Sequence, residues 1–342
     1  MPAVAGQFYP GTASGLSRTL LTLTREVKEP EPAIGIVVPH AGYVYSGAVA
    51  GEVFSSVRVP GLAVIFCPNH TGVGEDAAIM SHGSWWMPWG DVPVDEELAA
   101  RLASACPFLR EDASAHSREH AIEVQLPFLH RFRPDVRIVP VALGRLSLEE
   151  CRELGESVAD AIAGDAERPL LVASSDMSHY VPDAVARKKD RMAIDRMLAL
   201  DPEGLYATVR TERISMCGVM PATVVLFAAR RLGATSARLI KYATSGDVSR
   251  EFDQIKQTLL FQLTNAGRPI ICVEDANLHN RGELLLRHQY DGLELDKAYG
   301  QATLAAIQSL WTRPVHIATI YSGKSVLLSF DGKKHSESRF EG

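Results

Sequence analysis

Three short apolar runs in the first 180 residues each end in a polar side chain able to ligate a metal. They are Ile34-Gly-Ile-Val-Val-Pro-His40, Leu62-Ala-Val-Ile-Phe-Cys-Pro-Asn-His70 and Leu170-Leu-Val-Ala-Ser-Ser-Asp176-Met-Ser-His179. Uninterrupted runs of this length read as parallel strands buried on both faces. Open α/β sheets take their ligands just beyond the carboxyl ends of such strands. The pattern therefore predicts several imidazoles and a carboxylate gathered in one crevice.

Strands and helices alternate from 11 to 253, which predicts βαβ units: an α/β fold with a central, mainly parallel sheet flanked by helices. Beyond the three runs, strands are expected at Arg137 to Leu143 and Arg238 to Tyr242. Helices are expected from Gly15, after a Ser14 cap, to Val27, over 47–57, from Asp95, and over 147–163, 184–199, 202–209 and 220–232. The pattern changes after 265, where Pro269 to Val273, Glu283 to His288, Val315 to Tyr321 and Ser325 to Phe330 read as strands around a helix from Leu295 to Trp311. Net charge divides near the same place. Residues 1–253 carry 25 Lys/Arg against 32 Asp/Glu, and residues 254–342 carry 10 against 9. A domain over 1–250, a helical linker over 251–266 and a small α+β unit over 267–342 are expected.

Several function classes are disfavoured. The net charge of −6 has no basic cluster beside it, so neither nucleic acid nor an anionic membrane surface is an expected partner. No apolar stretch approaches the roughly 18 residues of a membrane span. The five cysteines form no CxxC pair, which suggests reduced thiols and a cytoplasmic setting.

The chemistry-bearing residues each admit a plain reading beside a functional one. A single histidine is more often a satisfied core or surface group than a ligand, but His40, His70 and His179 follow the same kind of strand end, and together they favour a site. Asp176 and His179, three apart, can face one point on a first helical turn, or Asp176 can simply cap a helix. Cys217 precedes Gly218 and a helix opened around Pro221, a place where a thiolate is stabilised by the helix N-terminus, or it is an inert core thiol. In His116-Ser-Arg-Glu-His120-Ala-Ile-Glu123-Val-Gln125 the pairs Glu119/Glu123 and His116/His120 stand at i,i+4. They can support a metal or act as acid and base, or form an exposed ion-paired face. Trp85, Trp86 and Trp89 suggest a loop over a pocket.

Six segments carry a resemblance: Pro39-His-Ala-Gly-Tyr-Val-Tyr-Ser-Gly, Pro68-Asn-His-Thr-Gly, Glu119-His-Ala-Ile-Glu-Val-Gln-Leu-Pro-Phe-Leu, Ser174-Ser-Asp-Met-Ser-His-Tyr, Met216-Cys-Gly and Tyr242-Ala-Thr-Ser-Gly-Asp-Val-Ser. With Ala3-Val-Ala-Gly-Gln-Phe-Tyr-Pro, they resemble the Memo family, which includes the AmmeMemoRadiSam system protein B. The resemblance covers 3–249 and implies a fold similar to class III extradiol dioxygenases. It also implies iron or copper held at His40, His70 and Cys217, with Asp176 and His179 in the same metal pocket and His120 or His179 as proton donor or acceptor. The implied activity is a metal-dependent redox or dioxygenase-like reaction on an unknown small molecule or peptide. By family association a radical SAM enzyme and an AMMECR-like protein are candidate partners. The alternative is a non-catalytic module that keeps the cleft to bind a peptide or protein. Ala121 stands where the family usually has serine, and the resemblance stops at Arg250. Residues from about 258 to 335, including Ala276-Asn-Leu-His-Asn-Arg-Gly-Glu and Leu310-Trp-Thr-Arg-Pro-Val-His, resemble the C-terminal part of SpoVR-family proteins.

Overall fold

The computed structural model describes residues 2–249 in full and, beyond them, the backbone of five strands. In chain order the elements are α1 (Ala13–Leu23), β1 (Gly35–Val38), α2 (Tyr43–Ser56), β2 (Leu62–Pro68), β3 (Ala77–Ile79), β4 (Ser84–Met87), β5 (Gly90–Pro93), α3 (Glu96–Ala105) and β6 (Arg110–Glu111). They continue with α4 (Leu126–Phe132), β7 (Arg137–Leu143), α5 (Leu148–Ile162), β8 (Leu170–Ser174), α6 (Asp183–Leu198), α7 (Pro202–Thr211), α8 (Val219–Arg231) and α9 (Ser245–Ser249). The five further strands are β9 (Thr258–Leu263), β10 (Pro269–Glu274), β11 (Val315–Tyr321), β12 (Ser325–Phe330) and β13 (Lys333–Arg339).

A six-stranded sheet in the order β1-β8-β2-β7-β3-β6 organises the domain. Its pairs are parallel except β3 against β7. The three runs singled out in the sequence are its neighbours β1, β8 and β2, with Val38 opposite Ser174 and Phe66 opposite Ala173. Their carboxyl ends therefore lie side by side. Val64, Phe66, Val139, Val141, Leu171 and Ala173 pack into one core layer, while Ile36, Val38, Ile65, Ile138 and Val172 pack into the other. Alternation across the pleat thus lets one apolar run supply both layers. Burying each such side chain contributes roughly 1.5–3 kcal/mol.

The helices begin where local chemistry satisfies their first amides. Asp95 caps α3 by accepting from Leu98 N–H, and two glutamates follow in its first turn. Ser147 and Glu150 cap α5 reciprocally. For α1 the cap is Thr12 rather than the expected Ser14, and the helix ends at Leu23. A Cβ on Gly155 would stand 2.6 Å from the Val224 carbonyl oxygen, so this glycine lets α5 approach α8 closely.

Other expectations need correction. Residues 238–242 form no strand; Tyr242 is instead held by its hydroxyl, which donates to Asp190 at 2.6 Å. The helical linker expected over 251–266 is contradicted at Thr258–Leu263, which is a strand paired antiparallel with Pro269–Glu274. A six-residue apolar run fits either periodicity, and the β-rich neighbour decides. In the tail, the two expected strands β11 and β12 pair antiparallel, and β13 adds a third strand. The expected strand at Glu283 to His288 and helix at Leu295 to Trp311 lie outside the described residues. Among the described residues no helix is long and apolar enough to cross a membrane.

Candidate metal centre

At the carboxyl ends of β1 and β2 the chain delivers His40 and His70, and the segment between two 3-10 turns, Ala113–His116 and Glu123–Gln125, delivers His120. One ring nitrogen from each of these three histidines lies within 4.8 Å of the other two. Their ring centroids are 5.1 Å (His40 to His70), 5.5 Å (His40 to His120) and 4.9 Å (His70 to His120) apart. Among the described residues this is the group whose donor atoms can share one ion. His40 is buried, whereas the His70 side chain is 33% exposed, so the open side of the group is that of His70.

Hydrogen bonding decides which nitrogen His40 offers. The Ser174 hydroxyl has one proton and gives it to the Ala121 carbonyl at 2.6 Å, and its oxygen accepts from Gln125 Nε2 at 2.9 Å. His40 Nδ1, 3.0 Å from the same oxygen, must therefore donate. That leaves the Nε2 lone pair facing the cluster. Gln125 Nε2 also donates to the Pro39 carbonyl, so α4 and β8 jointly hold the loop carrying His40. Burial lowers the His40 pKa to about 4, against a raising influence from Asp176 and with a further lowering from His70 and His120. His120 is likewise lowered by burial, against Glu119. Neutral imidazoles with a fixed tautomer are what a transition metal requires, so the residues present fit such an ion.

A second group adjoins the first. Cys217 Sγ lies 3.2 Å from His40 Nε2 and accepts from Asp176 N–H at 3.2 Å. Burial, then the Asp176 charge, pushes this thiol well above its ordinary value, against lowering by the Asp176 and Gly218 amides and the Ser175 hydroxyl. Of the two readings of Cys217, burial without an ion favours the thiol over the thiolate, and the sulfur stands against His40. Gly218 makes the approach possible: a Cβ there would stand 2.4 Å from Ser175 Cβ and 2.5 Å from the Ser174 carbonyl oxygen.

Asp176 and His179 do not share a first helical turn, because α6 begins only at Asp183. Asp176 Oδ1 accepts from the backbone N–H of His40 at 2.8 Å and of Ala41 at 3.3 Å, fixing the start of the His40 loop. Its Oδ2 stands 3.9 Å from both His40 Nε2 and His179 Nε2. Burial alone would raise this carboxyl, but His40, His179 and the two amides hold it below its usual range. His179 is anchored elsewhere, its Nδ1 donating to the Ser215 carbonyl at 2.9 Å.

Of the two readings of 116–125, the exposed ion-paired helix face does not hold, since His116, Glu119, Glu123 and Gln125 are buried and the segment is a pair of tight turns. Glu123 accepts from Ala3 N–H at 2.6 Å, Val4 N–H at 3.1 Å and Tyr9 hydroxyl at 2.6 Å. This clamp sets the Phe8 ring edge-on to His120 at 4.9 Å. Trp85 and Trp86 lie on the β4–β5 hairpin rather than in a loop, and Trp85 packs edge-on to His116.

A family model for Memo-like proteins matches residues 1–256. The chain belongs to the Memo-like family. A MEMO1 family protein of Methanopyrus kandleri is 40% identical over 268 residues, covering 74% of this chain and 95% of that protein. One from Aquifex aeolicus is 40% identical over 256 residues, with the same shares covered. A solved Escherichia coli structure, described as uncharacterized, aligns with a TM-score of 0.38 at 14% identity, covering 67% of this chain and 91% of that one. The SpoVR-like C-terminal domain model matches residues 269–322. In this Memo-like chain the metal-capable group is a trio of imidazoles, with Cys217 beside His40 and Asp176 bridging toward His179. His120, read from the sequence as a proton donor or acceptor, stands in the trio itself. Its position within a Glu-His pair that ends a polar stretch is the signal that would have placed it there.

Proposed function

We propose that the Memo-like domain is a redox protein holding iron or copper at His40, His70 and His120, with Cys217 alongside, in a dioxygenase-like pocket that admits a small molecule or peptide. The observation that carries this reading is the convergence of three imidazoles within 4.8 Å, with the buried one locked by Ser174 so that its Nε2 lone pair faces inward. A donor set of imidazoles with a thiol nearby suits iron or copper better than magnesium or calcium. When bound, such an ion supplies one-electron chemistry that side chains lack. The chain's own groups orient and handle protons. Ser174 and Asp176 fix the His40 ring and backbone, and Cys217 Sγ stands 3.2 Å from His40 Nε2, beside the place of the ion. Asp176 and His179 form a carboxylate–imidazole pair 3.9 Å apart on the same side, placed to hold or pass a proton to a bound molecule.

Metal content measured by mass spectrometry, on protein purified with and without air, tests this. Near-stoichiometric iron or copper in the wild type, lost in His40→Ala, His70→Ala and His120→Ala and reduced in Cys217→Ala, is the expected result. A folded wild type that carries no metal and takes up neither iron nor copper on titration overturns it, and leaves the cleft as a binding site for a peptide or protein.

A further inference from the structure

One carboxylate underlies two of the three imidazoles. Glu119 is 1% exposed and directs both oxygens at N–H groups. Oε2 accepts from the His70 backbone at 2.7 Å. Oε1 accepts from the Ala121 backbone at 2.9 Å and lies 2.9 Å from His70 Nδ1, with His120 Nδ1 at 3.5 Å. An ionised carboxylate only accepts, so His70 Nδ1 carries the proton in that contact and Nε2 carries the lone pair. Among the described residues no Lys or Arg pairs with Glu119; its ion-pair neighbours are these two histidines. Its charge is therefore left facing the centre through the imidazoles.

We propose that Glu119 is the positioning residue of the centre: it sets the Nδ1–H tautomer of His70, draws His120 Nδ1 toward the same oxygen, and so turns both Nε2 atoms to the point where the ion sits. This rests on reading the three histidines as a metal centre. His40 has a separate anchor in Ser174, so the inference is selective: loss of Glu119 disturbs two histidines and spares the third. A carboxylate behind a ligating imidazole also raises its basicity, and losing such a partner typically costs about 10- to 100-fold in metal affinity.

The test combines the ring tautomers, read by long-range proton–nitrogen correlation on metal-free protein labelled at histidine, with equilibrium titration of zinc(II) as a redox-silent probe. In the wild type His70 is expected as a single Nδ1–H tautomer. In Glu119→Gln the Nε2–H form of His70 should appear while His40 keeps its wild-type signals, and zinc should bind about 10- to 100-fold more weakly. Because the glutamine amide turns an NH2 toward N–H donors, Glu119→Asp is the second variant. It keeps the charge, and partial rescue of both readouts is expected. A wild-type His70 protonated at Nε2, or wild-type tautomers and zinc affinity in both variants, overturns the inference. If wild type binds no zinc, iron or copper while the tautomer shifts as stated, the positioning role stands and the metal reading fails.

Discussion

Tyr9→Phe isolates the clamp that ties the N-terminal segment to the centre. The Tyr9 hydroxyl is buried and donates to Glu123 Oε1 at 2.6 Å, while the Val4 amide donates to the same oxygen and the Ala3 amide to Oε2. Glu123 is 2% exposed, so water does not replace a lost donor readily. A hydrogen bond to a buried charged group is worth about 1.5–3 kcal/mol, and its removal leaves part of the carboxylate unsatisfied. The variant should therefore lose about 2 kcal/mol in urea unfolding with an unchanged m-value, a fall of roughly 4–8 °C in melting temperature for a domain of this size. Glu123→Gln and the double variant complete a cycle, in which the coupling should be at least about 1 kcal/mol because the two groups touch. Amides of residues 3–9 should exchange faster in both single variants. If Tyr9→Phe changes stability by less than about 0.5 kcal/mol, as a solvent-exposed change would, the clamp is not holding the segment and the reasoning fails.

The buried His116 gives the metal-free domain a pH dependence. Burial brings its pKa to about 4, against raising influences from the Ala78 backbone, Asp112, Glu119 and Glu111. Its neutral form is favoured by folding, so the stability it contributes is complete above about pH 6.5 and is lost as pH falls toward 4, by about 3 kcal/mol in all. His116→Leu should remove that share of the slope in urea titrations at several pH values; an unchanged slope refutes it. Gly218→Ala should push Cys217 away from His40, cost about 1–3 kcal/mol by overpacking against Ser175, and weaken metal uptake. Wild-type melting and uptake in that variant would show that the helix start shifts freely.

The parallel sheet was legible because β1, β2, β7 and β8 are apolar runs that alternate with helical segments, two of which, α3 and α5, carry recognisable caps. The site was legible in part for the same reason: His40, His70 and Asp176 mark strand ends. Residues 116–125 misled the reading, since i,i+4 spacing matters only on a helix and this segment folds as two tight turns. The partners of His40 were also hidden. Ser174 and Gln125 sit 134 and 85 positions away in sequence and meet His40 only through sheet order. Thr258–Leu263 failed for want of length, because six residues do not separate a helical period from a strand.

The place of β8 between β1 and β2 has a consequence for how the chain is made. When the ribosome has delivered the first two strands and their histidines, the strand that must lie between them is still about a hundred residues from being synthesised. The sheet cannot close by pairing β1 with β2 without shutting out its own centre. His40 and His70 thus emerge as separate, unorganised imidazoles, and only the late insertion of Leu170–Ser174 draws them into one pocket together with Ser174 and Asp176. A pocket assembled in this order is absent from every nascent chain that stops short of β8, so an ion captured there would report a closed sheet, and its binding energy would help hold that sheet closed.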